Sequence, residues 1–151
     1  MRRIFQLFLA LLASVLFCGA AAAQDKVVYH IDDAATQATK ALRSIRNHLD
    51  VAPDTKITVV TLADGIDFLF EGANDAKNAN IDYGSLVSAL ASRGVIFEVC
   101  EITLQSRNLK KEQFSLDSVF VPSGVVRIGH RKLQSLPAPI HIEEERVQSS
   151  T

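Results

Sequence analysis

The segment Lys56-Ile57-Thr58-Val59-Val60-Thr61-Leu62-Ala63 is apolar almost without interruption and stops at Asp64-Gly65. A strand with one wet face alternates apolar and polar residues; an unbroken β-branched run belongs to a strand covered on both faces, the habit of parallel sheets. A chain with such a strand must supply helices for both sides. Lys26 to Ile31 is a second strand, rich in β-branched and aromatic residues, and the following Asp32-Asp33 are good helix N-caps. Ala35, Ala38, Ala41, Leu42, Ile45 and Leu49 then recur at helical spacing between Lys40, Arg43 and Arg46, which predicts an amphipathic helix ending before Pro53.

Downstream, Ile66 to Phe70 reads as a short helical turn and Asn74 to Asp82 as a loop. Asp82 caps a helix through Arg93 with Leu86, Val87, Leu90 and Ala91 on its inner face. Gly94 to Cys100 is a further strand. Thr103 to Leu116 is less regular, with helical turns around Leu109 to Phe114. Val119-Phe120-Val121 is a short fourth strand broken by Pro122-Ser123-Gly124, Val125 to Leu136 is a helix, and Ile140-His141-Ile142 is a fifth strand. Strands alternating with helices imply an α/β fold: one three-layer domain over residues 24–142, its mostly parallel five-stranded sheet flanked by helices. The polar stretch 143–151 is expected to be a disordered tail.

Residues 1–23 carry the three parts of a cleavable export signal: Arg2-Arg3, an apolar core from Ile4 to Phe17, and Ala20 to Ala23. That core is well short of the roughly 20 residues that cross a bilayer, so a periplasmic protein without stable membrane insertion is expected, not an anchored one. Removal of the signal leaves 128 residues, the size of one domain, with 14 basic and 17 acidic side chains and a net charge of −3. Such a charge gives no reason to expect a nucleic-acid partner.

Processing would also remove Cys18, leaving Cys100 as the one cysteine. An oxidising compartment normally pairs its cysteines, so Cys100 is inert in the core, joined between chains, or kept free for chemistry. Its place at the end of a strand puts it on the edge where the turns Asp32-Asp33, Asp64-Gly65, Cys100-Glu101 and Pro122-Ser123-Gly124 gather, and ligands of parallel sheets bind there. A helix start after Gly124 or Asp33 would favour a thiolate, as would Arg107, whereas Glu98 on the same strand face would oppose it. His30, His48, His130 and His141 have no metal-ligand spacing, and there is neither a Gly-rich phosphate loop nor a nucleophile elbow around Ser123. No metal and no cofactor are expected.

The segments Val-Thr-Leu-Ala-Asp-Gly-Ile-Asp-Phe-Leu-Phe-Glu-Gly-Ala (60 to 73), Gly-Val-Ile-Phe-Glu-Val-Cys-Glu-Ile-Thr-Leu (94 to 104) and Val-Pro-Ser-Gly-Val (121 to 125), in this order, closely resemble the exported branch of the DsrE/DsrF-like family. The resemblance runs from about Lys26 to Leu136. It implies a compact α/β subunit that forms homo-oligomers, trimers or hexamers, with a cysteine at the position of Cys100. In cytoplasmic relatives that cysteine accepts a sulfane sulfur as a persulfide and passes it on, which implies sulfur donor and acceptor proteins as partners. Two features depart from the pattern: Ala63-Asp64 stands where many relatives carry a His before the Gly, and Glu98 and Glu101 flank the thiol.

Cys100 is therefore the candidate catalytic residue, and Asp64, Gly65, Thr103, Ser123 and Gly124 are candidate binding residues. Ser123 as a helix cap and Asp64 as a turn cap are the structural alternatives. Three functions are compatible with these residues: a sulfur carrier or sulfurtransferase-like accessory, a non-catalytic ligand- or partner-binding module, and a redox-sensing thiol protein.

Overall fold

The computed structural model describes residues 24–134, with the backbone alone for residues 132–134. Strand β1 (Lys26–Asp33) leads into helix α1 (Ala34–Val51), whose amide at Ala35 donates to the Asp33 carboxylate at 3.0 Å. The expected Asp cap is therefore in place. Strand β2 (Lys56–Asp64) is followed by a 3-10 turn at Asp67–Leu69 and a hairpin of β3 (Asn74–Asp75) and β4 (Asn78–Asp82). Helix α2 (Tyr83–Ala91) starts on Asp82, which accepts from the amides of Gly84 and Ser85. Strand β5 (Ile96–Cys100), helix α3 (Glu101–Ser106), a 3-10 turn at Lys111–Gln113, strand β6 (Ser118–Val121) and helix α4 (Gly124–Gln134) complete the order.

The main sheet is parallel throughout, in the order β1-β2-β5-β6. It has four strands among the described residues, against the five expected; the expected strand Ile140–Ile142, the export signal and the polar tail lie outside them. Two further corrections concern the connections. Asn74–Asp82 is a hairpin, not a loop: the Asp75 carboxylate accepts from the amides of Lys77 and Asn78 and folds the polar chain back without any apolar pattern to announce it. The helix after β5 starts at Glu101, earlier than the expected turns around Leu109 to Phe114, which are reduced to the 3-10 turn at Lys111–Gln113.

Because side chains alternate along a strand, β2 and β5 each serve two layers. Ile57, Val59, Phe97 and Val99 join Ala38, Leu42, Ile45 and Leu49 of α1, Val87 and Leu90 of α2, and Phe68 and Leu69 of the 3-10 turn in the main core. Phe68 sits at its centre, edge-on to Tyr83 at 5.8 Å and to Phe97 at 6.4 Å. Val60, Glu98 and Cys100 point the other way, toward α4. This is the three-layer arrangement, with α1 and α2 on one face and α4 on the other, and it sets the last residue of β5 against the start of α4.

Candidate functional site

Cys100 ends β5 and serves as the N-cap of α3, in extended conformation, so its side chain leaves the sheet where two helices begin. The Gly124 amide, the first of α4, donates to Cys100 Sγ at 3.3 Å. Glycine suits this approach: a Cβ at residue 124 would crowd Leu62 at 3.2 Å, Val60 at 3.3 Å and the Cβ of Cys100 at 3.3 Å, and these would have to give by a few tenths of an ångström. Thr103 completes the surroundings. Its Oγ1 accepts from the Ala63 amide at 3.1 Å, which leaves its hydrogen to turn toward the sulfur.

Burial pushes the Cys100 thiol up, yet the amides of Gly124, Thr103 and Ile102 together with the Thr103 hydroxyl outweigh it and hold the thiol below its ordinary range. A cysteine packed only among hydrocarbon would shift the other way. The residue is nonetheless 4% exposed, so the sulfur lies at the closed base of the site. Exposed apolar side chains stand in the first turns of both helices that begin here: Ile102 on α3, and Val125 and Val126 on α4.

Glu98, two residues earlier on the same strand face, is 1% exposed. Its expected opposition to the thiolate is corrected by its partners. Arg127 Nε donates to both carboxylate oxygens at 2.9 Å and its Nη2 to Oε1 at 2.7 Å, while Arg131 Nη2 donates to Oε1 at 2.9 Å. Two guanidiniums thus neutralise one carboxylate. Glu101 is likewise taken up by Lys111.

Arg107 does not serve the thiolate as expected: its guanidinium donates to Asp67 at 2.6 Å and to the Ala63 carbonyl at 3.2 Å, with Asp64 at 3.6 Å. Asp64 is exposed and lines a neighbouring cavity of about 350 Å³ with Asp33, Asp67, Asn74 and Tyr83. Gly65 is structural, because a Cβ there would lie 2.1 Å from the carbonyl oxygen of Ile31. Ser123 Oγ accepts from the Val126 amide at 3.4 Å, the capping role. Of the five expected binding residues, then, Thr103 and Gly124 reach the sulfur, Ser123 starts α4, Asp64 belongs to the acidic cavity beside it, and Gly65 packs against the backbone of Ile31.

Reading the sequence did not single out Arg127 and Arg131. The signal was there: a glutamate inside an apolar strand needs buried partners, and two arginines four residues apart on the next helix present them on one face. Among the described residues no group of three His, Cys, Asp or Glu side chains can hold a metal ion, and no helix is long and apolar enough to cross a membrane.

The model of one protein family, described as the DsrE/DsrF-like family, matches residues 5–135, from within the apolar N-terminal segment to just past α4. No curated protein sequence matches significantly. Among solved structures, the chain is similar to a protein of unknown function, MTH1491, from Methanobacterium thermoautotrophicum: TM-score 0.66, 24% identity, 76% of this chain and 96% of that one covered. It is also similar to the ychN protein from E. coli, with TM-score 0.59 and 12% identity over 73% of this chain and 92% of that one. At such identities the likeness is one of fold.

Proposed function

We propose, from the premise that this chain belongs to the DsrE/DsrF-like family, a family associated in general with sulfur relay, that Cys100 carries sulfane sulfur as a persulfide in an exported homo-oligomeric protein. The observation that carries this reading is the convergence of the Gly124 amide and the surroundings of Thr103 on a single thiol, with a net shift toward the anion. Thiolate is the species that chemistry needs. The Cys100 thiolate attacks the outer sulfur of a donor persulfide or polysulfide; the donor's S–S bond breaks, its inner sulfur leaves as a thiolate, and a Cys100 persulfide forms. An acceptor thiolate then attacks the outer sulfur and Cys100 leaves as thiolate again. Both steps are redox-neutral, and amides that stabilise the anion assist the second as well as the first.

A packing role for Cys100 within a binding module is the alternative, favoured by its 4% exposure. Mass spectrometry separates the two. Incubated with polysulfide, the protein gains the mass of one or more sulfur atoms, reversed by reductant, and Cys100→Ser gains none while keeping its fold. A wild-type protein that takes up no sulfur and is alkylated only on unfolding would refute the carrier reading.

A further inference from the structure

Among its described side chains, those of residues 124–131, helix α4 brings little hydrocarbon to the sheet. Gly124 is buried, but Val125 and Val126 are 68% and 54% exposed, Ile128 is half-buried, and Gly129 and His130 face solvent. Its firm attachment is polar. Three hydrogen bonds from Arg127 and one from Arg131 end on the carboxylate of Glu98, which among the described residues has no other side-chain partner and is itself enclosed. Arg127 Nε and Nη2 meet the carboxylate in a two-pronged grip that fixes distance and direction together. One turn of helix separates Arg127 from Gly124, whose amide lies on the sulfur. Glu98 and Cys100 are neighbours on the same strand face, so the grip and the thiol belong to one rigid strand.

From this we infer that Glu98 is a positioning residue: through Arg127 and Arg131 it fixes the first turn of α4 so that the Gly124 amide meets the sulfur of Cys100. This rests on Cys100 being the reactive group. The charged residues on the elements around the thiol are Glu98 on β5, Asp64 at the end of β2 with Lys56 at its far end, Glu101 on α3, and Arg127, Arg131 and Lys132 on α4, which also carries the solvent-facing His130; β6 contributes none. Glu101 is paired with Lys111 and Asp64 lies near Arg107, so the pair that changes when Glu98 is altered is its own.

The sign of the effect makes the inference testable. If Glu98 acted only through its charge, Glu98→Gln would remove a negative neighbour, leave two guanidiniums uncompensated, and make the thiol more acidic and faster to alkylate. Positioning predicts the opposite: α4 loosens, the Gly124 hydrogen bond is lost, and alkylation by iodoacetamide at neutral pH slows about tenfold, the worth of one hydrogen bond to an anion. Arg127→Lys keeps every charge but loses the two-pronged geometry. It is expected to slow alkylation in the same direction, with the absorbance step of thiolate formation moved to higher pH. Faster alkylation in Glu98→Gln, or an unchanged rate and titration in Arg127→Lys, overturns the inference. Should Glu98→Gln fail to fold, Arg127→Lys decides alone. A wild-type thiol that titrates like a free cysteine would instead defeat the carrier reading, so the two failures are distinct.

Discussion

Ala63 occupies the left-handed region with φ of 49°, where a side chain carrying a Cβ is strained by about 1–2 kcal/mol. Its neighbours hold it there: its amide donates to Thr103 Oγ1, and its carbonyl accepts from Arg107. The strained residue thereby helps hold Thr103 next to the thiol while bending the chain at the end of β2. Glycine would adopt this conformation freely but lose more freedom on folding, so Ala63→Gly is expected to stabilise the protein by about 0.5–1 kcal/mol. Denaturant unfolding measures this, and a lower midpoint in the variant would show that the Ala63 methyl contributes packing that the strain conceals. At this scale the sequence was partly legible. Strand-end arithmetic located Cys100 and the turn chemistry located Gly124, but the partners of Glu98 lie 29 and 33 residues away, beyond the reach of any local pattern.

Among the elements, the strands and long helices were readable because burial writes its period into them: the continuous apolar run of β2 and the 3.6-residue stripe of α1 are direct consequences of which faces they cover. The hairpin of β3 and β4 was not, since it is built by one side chain. Asp75 accepts from the hydroxyls of Thr39 and Tyr83 and from the amides of Lys77 and Asn78, and the Thr39 hydroxyl foremost, with these others, lowers its carboxyl to about 2. The folded value lies below the roughly 3.9 of an unfolded aspartate. Its stabilising contribution is therefore complete above about pH 4 and is lost as the pH falls from there through about 2. Asp75→Asn is expected to unfold at lower denaturant at pH 6 and to lose less stability than the wild type between pH 4 and 2. Parallel pH curves for the two proteins would mean that the Asp75 hydrogen bonds contribute nothing net.

For the molecule as a whole, the exposed Ile102, Val125 and Val126 are an apolar group on the edge where α3 and α4 begin, of the kind that marks an interaction surface. Together with the proposed export, it gives a joint expectation. Protein recovered from the periplasm begins near Gln24 and has the mass of a trimer or hexamer by light scattering, and Val126→Glu shifts it toward the single chain without unfolding it. An intact Met1 on the recovered protein argues against cleavage, and a single-chain mass in the wild type argues against assembly.

The strand order β1-β2-β5-β6 follows the chain, and the ladders join residues such as Lys26 to Lys56, Thr58 to Ile96 and Phe97 to Ser118. Each strand therefore docks on one already made, and a chain delivered residue by residue from its N-terminus can lay down the sheet without waiting for a distant partner. Helix α4 comes last among these elements, bringing the Gly124 amide with it. A nascent subunit thus lacks the Gly124 amide at its Cys100 sulfur until the last helix docks, and the set of hydrogen bonds around that thiol is complete only as the closing act of folding.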